Sequence, residues 1–265
     1  NPLTARVMAN RVWQHHFGLG LVATSDNFGA RGEKPSHPEL LDWLANEFVA
    51  NGWSVKKLHR LVVLSAAYQA GAQADGRALK VDPNNRLFGR ATRRRLDAES
   101  LRDSLLVVSG RLDRAIGGND SGELLNKEAE DIGAKIRPNR MQTSHPIFTT
   151  STRRSLYLPV IRNAVPDVFA LFDGADPNGV TAVRNDTTVS SQALFLLNHP
   201  FVREQSLHFA QRLLADAKAT DEQRIHAAFR YALGRTATPV ELAATTKFLA
   251  EYQKRDTARK PEEAR

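Results

Sequence analysis

The sequence predicts a mainly α-helical protein, a multi-helix bundle with at most a few short strands around residues 147–161. Three observations carry this. Apolar residues recur at helical spacing through most of the chain. Capping signatures led by Ser, Thr or Asp stand ahead of several of those segments. The best strand candidate is a single stretch, Arg153 to Ile161, and Pro159 confines it to an edge or a strand end.

Taken in order, Leu3 to Phe17 forms a helix at about 100° per residue, with Thr4, Arg11 and His15 on a polar stripe. His16 falls among Ala5, Ala9 and Val12, which predicts packing. The loop "GLGLVATSDNFGARGEKP" follows. Ser36-His37-Pro38-Glu39 then reads as a capping box, with Ser36 accepting from the N3 amide and Glu39 reaching back. Its helix carries Leu40, Leu41, Trp43, Leu44 and Phe48 and stops at Asn51-Gly52. Ser54 opens the next, with Leu58, Leu61, Val62 and Tyr68 among its apolar positions. Asp97 caps another, which places Leu101, Leu105, Val108 and Leu112 on one face.

From residue 117 to 152 the character changes to glycines, a charged "NKEAEDIGAK" and scattered polar residues, an irregular excursion or junction. This suggests an N-terminal helical lobe over 1–116 and a C-terminal one over 153–265, or else one continuous domain. A short helix from Pro166 to Phe172 runs into the turn "DGADPNG". "SSQALFLLNHPFVREQSLHFAQRLL" is helical on both sides of Pro200. Asp221 to Leu233, closed by Gly234, pairs with a last helix opened by Thr238-Pro239-Val240-Glu241, a second capping box with proline at N1.

Composition bounds the chemistry. With 42% hydrophobic and 25% charged residues the chain is an ordinary globular one. The absence of cysteine excludes disulfides, thiolate zinc sites and covalent c-type haem on this segment. No apolar run is long enough for a bilayer and no signal-peptide pattern is seen; starting at Asn1-Pro2, the chain reads as a piece of a longer protein. A formal charge of +8, rich in arginine, suits an anionic partner, or else arginines that pair internally. The local excess lies between Arg77 and Arg95, where seven basic residues face only Asp82; Arg86, Arg90, Arg93, Arg94 and Arg95 form a candidate basic patch. Phe88 alone interrupts it, which weakens a single-stranded nucleic-acid reading.

No complete catalytic or metal motif is present. His15 and His16 point about 100° apart and cannot clasp one ion, and no histidine has another three or four residues away. His59 shares a face with Val55, Val62 and Ala66, which suggests core packing. "GLGLVA" fits a loose dinucleotide fingerprint but follows a helix where a strand is required. "GNDSG" puts its serine one place late for a nucleophile elbow. "DGADPNGV" lacks the charged ligands of a calcium loop. Neither a metal nor a cofactor is therefore expected on this segment. The string "RNDTTVSSQALFLLN" sets Arg184, Asn185, Thr188, Gln192 and Asn198 around a helix entry, either as caps or as a polar pocket. Arg153, Arg154, Asp173 and Asp176 could line the same region. The candidate ligand-binding set is Arg154, Asp173, Asp176, Arg184, Asn185 and Gln192.

Long segments carry a family likeness: "NPLTARVMANRVWQHHFGLGLVATSDNFGARGEKPSHPELLDWLANEF", "GWSVKKLHRLVVLSAAYQ", "RRRLDAESLRDSLLVVSGRLD", "RRSLYLPVIRN", "VSSQALFLLNHPFV" and "AFRYALGRTATPVEL", in that order. Together they resemble the planctomycete-specific domain found C-terminal in planctomycete cytochrome C domain-containing proteins. The resemblance implies a domain without an assigned activity or assigned catalytic residues, joined to a second uncharacterised domain and often to an upstream haem-binding cytochrome domain. It implies export, to the periplasm or cell surface, and sibling domains of the parent chain as partners. The leading expectation is a non-catalytic helical docking module. The alternatives are a domain acting on anionic glycans and nucleic-acid binding through the arginine patch.

Overall fold

The computed structural model describes residues 1–73, 76–117, 150–160, 162 and 165–258. The described residues are mainly helical, with ten α-helices and a single 3-10 turn. They divide into two compact units, residues 1–95 with 179–185 and residues 96–178 with 186–265. Set beside the lobes read from sequence, this division falls at Arg95/Leu96.

The first unit holds α1 (Pro2–Phe17), α2 (Pro38–Ala50), α3 (Val55–Val63) and the short α4 (Gly76–Val81). Its core forms where the apolar face of α1 (Ala5, Ala9, Val12, Trp13, Phe17) meets Leu41, Leu44 and Phe48 of α2 and Leu58 and Val62 of α3. Trp13 stacks on Phe17 one turn later, at 4.1 Å between centroids, and Phe88 meets Trp13 edge-on at 5.1 Å. Asn10, fully buried, ties down the loop after α1: its amide donates to Val22 O at 3.0 Å and its carbonyl accepts from Val22 N at 2.8 Å. Gly20 has to be glycine here, because a Cβ would lie 2.5 Å from Val22 O. "GLGLVA" is therefore a helix end and a buried loop; Gly18 takes φ 86° as the C-cap of α1.

The second unit holds α5 (Ala98–Ser109), the 3-10 turn Ser155–Tyr157, α6 (Asp167–Leu171), α7 (Ser190–Asn198), α8 (Pro200–Leu214), α9 (Asp221–Leu233) and α10 (Pro239–Ala258). Ala98 and Leu106 of α5 pack with Val168, Phe172, Phe195, Phe201 and Val202. The expected cap at Asp97 forms, accepting from Ser100 N at 2.7 Å. The box at Thr238 also forms: Thr238 N donates to Glu241 Oε2 at 2.8 Å and Glu241 N donates back to Thr238 Oγ1 at 3.4 Å.

Four expectations are corrected. Ser36 does not cap α2. Its amide is used by Leu21 O at 2.8 Å and its hydroxyl lies 3.0 Å from His37 Nδ1, so the N-cap passes to His37, whose side chain makes no capping bond to the helix. The strand candidate from Arg153 becomes an isolated parallel bridge, Asp113 to Arg153, followed by the 3-10 turn. On α5 the buried line is Ala98, Arg102, Leu106 and Ser109, with Leu101, Leu105 and Leu112 only partly covered. His59 is exposed rather than packed in the core.

Most of the irregular stretch, residues 118–149, lies outside the described residues. Its described flanks are bound together: Asp113 N donates to Thr152 O at 2.9 Å and Gly117 N to the Tyr157 hydroxyl at 3.1 Å. Arg153 donates to Ala115 O at 3.5 Å and to Gly117 O, and its guanidinium lies over the Tyr157 ring at 4.5 Å. Arg102 of α5 completes the clamp. Its Nη1 donates to Arg153 O at 2.9 Å and Ser155 Oγ at 3.3 Å, and its Nη2 to Ser151 O at 2.5 Å. Asp103 beside it accepts from Ser155 N at 2.8 Å and from the Ser155 hydroxyl at 2.7 Å.

Candidate functional site

Part of the expected polar set converges, and it does so on structure. Asp173 ends the short α6 with φ 58°, a left-handed residue closing a helix where glycine is usual. Its carboxylate holds the next segment, accepting from Thr187 N at 2.8 Å and from the Thr187 hydroxyl at 2.9 Å. Gln192 is 3% exposed; its amide donates to Leu171 O at 2.9 Å and Thr187 O at 3.2 Å, while its carbonyl accepts from Val189 N at 3.1 Å. These two residues seat α7 against α6. Asp176 forms an Asx turn with Asn178 N at 2.9 Å, and Arg154 is exposed at the start of the 3-10 turn. Arg184 and Asn185 belong to the first unit, whereas the other four belong to the second.

An open groove of about 650 Å³ lies between α6 and α7, floored by Leu171, Leu194 and Phe195 and edged by Asp167, Ser191 and His199. Its histidine was not among the expected site residues. The signal for it was the "NHP" break, which makes His199 both the C-cap of α7 and the N-cap of α8. Nδ1 of His199 accepts from Phe201 N at 3.3 Å, so the neutral ring carries its proton on Nε2. The ring stacks on Phe195 at 4.2 Å. Burial pushes its pKa below the usual 6.5, and Asp167 offsets this only in part.

Several arginines are spent on backbone carbonyls. Arg94 caps the end of α1, donating to His15 O at 3.0 Å and His16 O at 3.1 Å. Arg212 does the same for α5 at Val107 O and Val108 O, both 3.0 Å, while lying over the Tyr231 ring at 3.9 Å. Arg90 holds Asp82 O at 3.0 Å and Pro83 O at 2.7 Å, and Arg86 pairs with Glu33 at 3.3 Å. Within the basic patch, Arg86, Arg93, Arg94 and Arg95 are exposed and Arg90 is half-buried. The loop bearing it is shaped by Asp82, whose carboxylate accepts from Leu87 N at 2.8 Å and Arg86 N at 2.9 Å; the Leu87 bond chiefly lowers its pKa.

Among the described residues, no group of three or more His, Asp or Glu side chains could hold a metal ion. His15 is exposed, as its place on the polar stripe predicts. His16, half-buried, meets His59 from α3, with Nε2 and Nδ1 2.6 Å apart.

A family model described as PSD1, protein of unknown function (DUF1553), matches residues 1–249. No curated protein and no solved structure matches the chain.

Proposed function

The chain belongs to the PSD1 (DUF1553) family, and from that membership and its uncovered helix faces we propose that it is a non-catalytic docking module of a larger protein. The observation that carries this reading is α10. No residue from Pro239 to Arg255 is buried, yet Phe248 and Tyr252, one turn apart, are 63% and 59% exposed. A helix of this length normally hides an apolar stripe, and uncovered aromatic pairs mark contact surfaces. Leu207 and Leu214 of α8 and Leu197 of α7 are likewise more than half exposed. The polar groups best placed for chemistry, Asp173 and Gln192, hold the fold instead. The resemblance to cytochrome-linked exported proteins supplies the rest of the proposal: the surface receives a sibling domain of the same parent chain, in the periplasm or at the cell surface, with haem carried upstream.

The experiment is co-purification of this chain with the separately produced neighbouring domain of its parent. Phe248→Glu with Tyr252→Glu is expected to abolish the complex while circular dichroism stays unchanged. Turnover of a polysaccharide or small molecule by the isolated chain, lost on one point substitution, would overturn the reading.

The groove beside His199 favours a second reading, a binding site for a hydroxylated ligand. Its edge carries Asp167 and neither arginine nor lysine, which suits a neutral sugar better than a sulfated one. Nucleic-acid binding draws least support, since Arg86, Arg90 and Arg94 already hold internal acceptors.

A further inference from the structure

Two imidazole nitrogens from different helices converge beside the end of α1. His16 Nε2 lies 2.6 Å from His59 Nδ1, with the rings edge-on at 71° and 4.9 Å between centroids. Tyr68 closes another side of His16, its ring edge-on at 5.3 Å. His59 is exposed, so water reaches the pair and the His59 ring has room to turn. The ionisable groups bearing on His16 are His59, Arg94 and His15, with no carboxylate among them.

We propose that His16 and His59 form a two-imidazole site for a borderline divalent transition metal, Cu(II) foremost and Ni(II) next, with water completing the coordination. The donor set selects the class. Imidazole suits copper, nickel and zinc, whereas calcium and magnesium require oxygen ligands. The geometry then ranks the metals. With metal–nitrogen bonds of ~2.0–2.1 Å, cis ligands at a right angle stand about 2.9 Å apart and tetrahedral ones about 3.3 Å. From 2.6 Å, a tetragonal ion needs the smaller opening, which rotation of the exposed His59 ring supplies. Copper also heads the affinity series for nitrogen ligands.

Protonation is consistent with this. Each neutral ring carries one N–H, and in the metal-free contact one of the two facing nitrogens holds a proton. On binding, that proton moves to the outer nitrogen of the same ring and both facing lone pairs go to the metal, with no net proton released. Burial first, and then His59, Arg94 and His15, keep the pKa of His16 below 6.5, so its ring is neutral at pH 7. The neighbouring Arg94 charge opposes a dication, so the site should bind reversibly. This inference stands apart from the docking surface, which lies in the other unit.

The test titrates the full chain with CuCl2 at pH 7, followed by calorimetry and electron paramagnetic resonance. The expected result is one saturable site with two protein nitrogens per copper. His59→Gln, at an exposed position, should weaken it about tenfold or more, and His15→Gln should leave it unchanged. Nickel should bind more weakly and magnesium not at all. His16→Gln should match His59→Gln, but the exposed variant decides the matter if the buried one is unstable. Copper affinity unchanged in His59→Gln, a one-nitrogen spectrum, or uptake spread over several histidines without a saturable site would each overturn the proposal.

Discussion

Replacing Arg102 by methionine perturbs the clamp that fastens residues 151–155 to α5. The side chain is 1% exposed and makes three donor bonds, to Ser151 O, Arg153 O and Ser155 Oγ. Burial lowers its pKa to about 10, countered in part by Asp103 at 3.7 Å, so it remains charged at neutral pH. Methionine keeps an apolar stem of similar length and removes the guanidinium, with its bonds and its contact over the Phe201 ring at 5.6 Å. Bonds from a charged donor contribute about 1.5–3 kcal/mol each, and each stripped buried carbonyl costs about 1–3 kcal/mol. Relief of the charge's own desolvation offsets several kcal/mol of that sum. The net loss is then about 3 kcal/mol, a melting shift of roughly 6–12 °C for a chain of this size. Arg102→Ala, which also opens a cavity, should lose about 2 kcal/mol more. Thermal denaturation by circular dichroism reads the shift. Hydrogen exchange at Asp113, whose amide donates to Thr152 O, reads the local release. A melting point within about 2 °C of the parent with unchanged exchange at Asp113 would refute the clamp.

Asn10→Ala strips both polar atoms of the buried Val22 peptide and should cost about 2–4 kcal/mol in urea unfolding, followed by fluorescence of Trp13 in the same core. Glu241 is held at a pKa of about 2, chiefly by Arg235 at 2.7 Å and then by Thr238 N. Its carboxylate therefore supports the fold above pH 4.5, and this support fades as pH falls toward 2; in Arg235→Ala its titration, followed by NMR, should move back toward 4.5. His199 has the lowered pKa of a group buried neutral, so its contribution is complete above pH 6.5 and is lost as pH falls through the lowered value. In His199→Gln the melting point should depend less on pH between 7 and 5; an identical pH dependence would show that the ring titrates freely.

Local signals read well where the deciding bonds are local. Asp97 and Thr238 cap their helices as their spacing requires, because each bond spans three residues. Ser36 carries the same signature and fails, because Leu21 claims its amide from fifteen residues away. From sequence Gln192 belongs to a polar cluster at a helix entry and Asp173 to the residues that could line the same region, but their purpose is not legible there. The same side chains would line a pocket or bind the turn, and only the positions of Thr187 and Leu171 select the second. His199, by contrast, sits at a break any reader would mark, yet its groove depends on α6 arriving beside it.

Periodicity and capping thus determined by themselves that this is a helical protein, where most helices begin, and that α1 exposes His15; these follow from residues a few positions apart. Tertiary structure decided which charges go inside and which histidines meet. Nothing in the spacing of α5 marks Arg102 for burial; the segment at 151–155 returns to it and takes its bonds. His16 has no partner within a helical turn, and finds one 43 positions along the chain. Pairings at that range are set by how helices dock, and the pattern of a single helix carries no record of its neighbour.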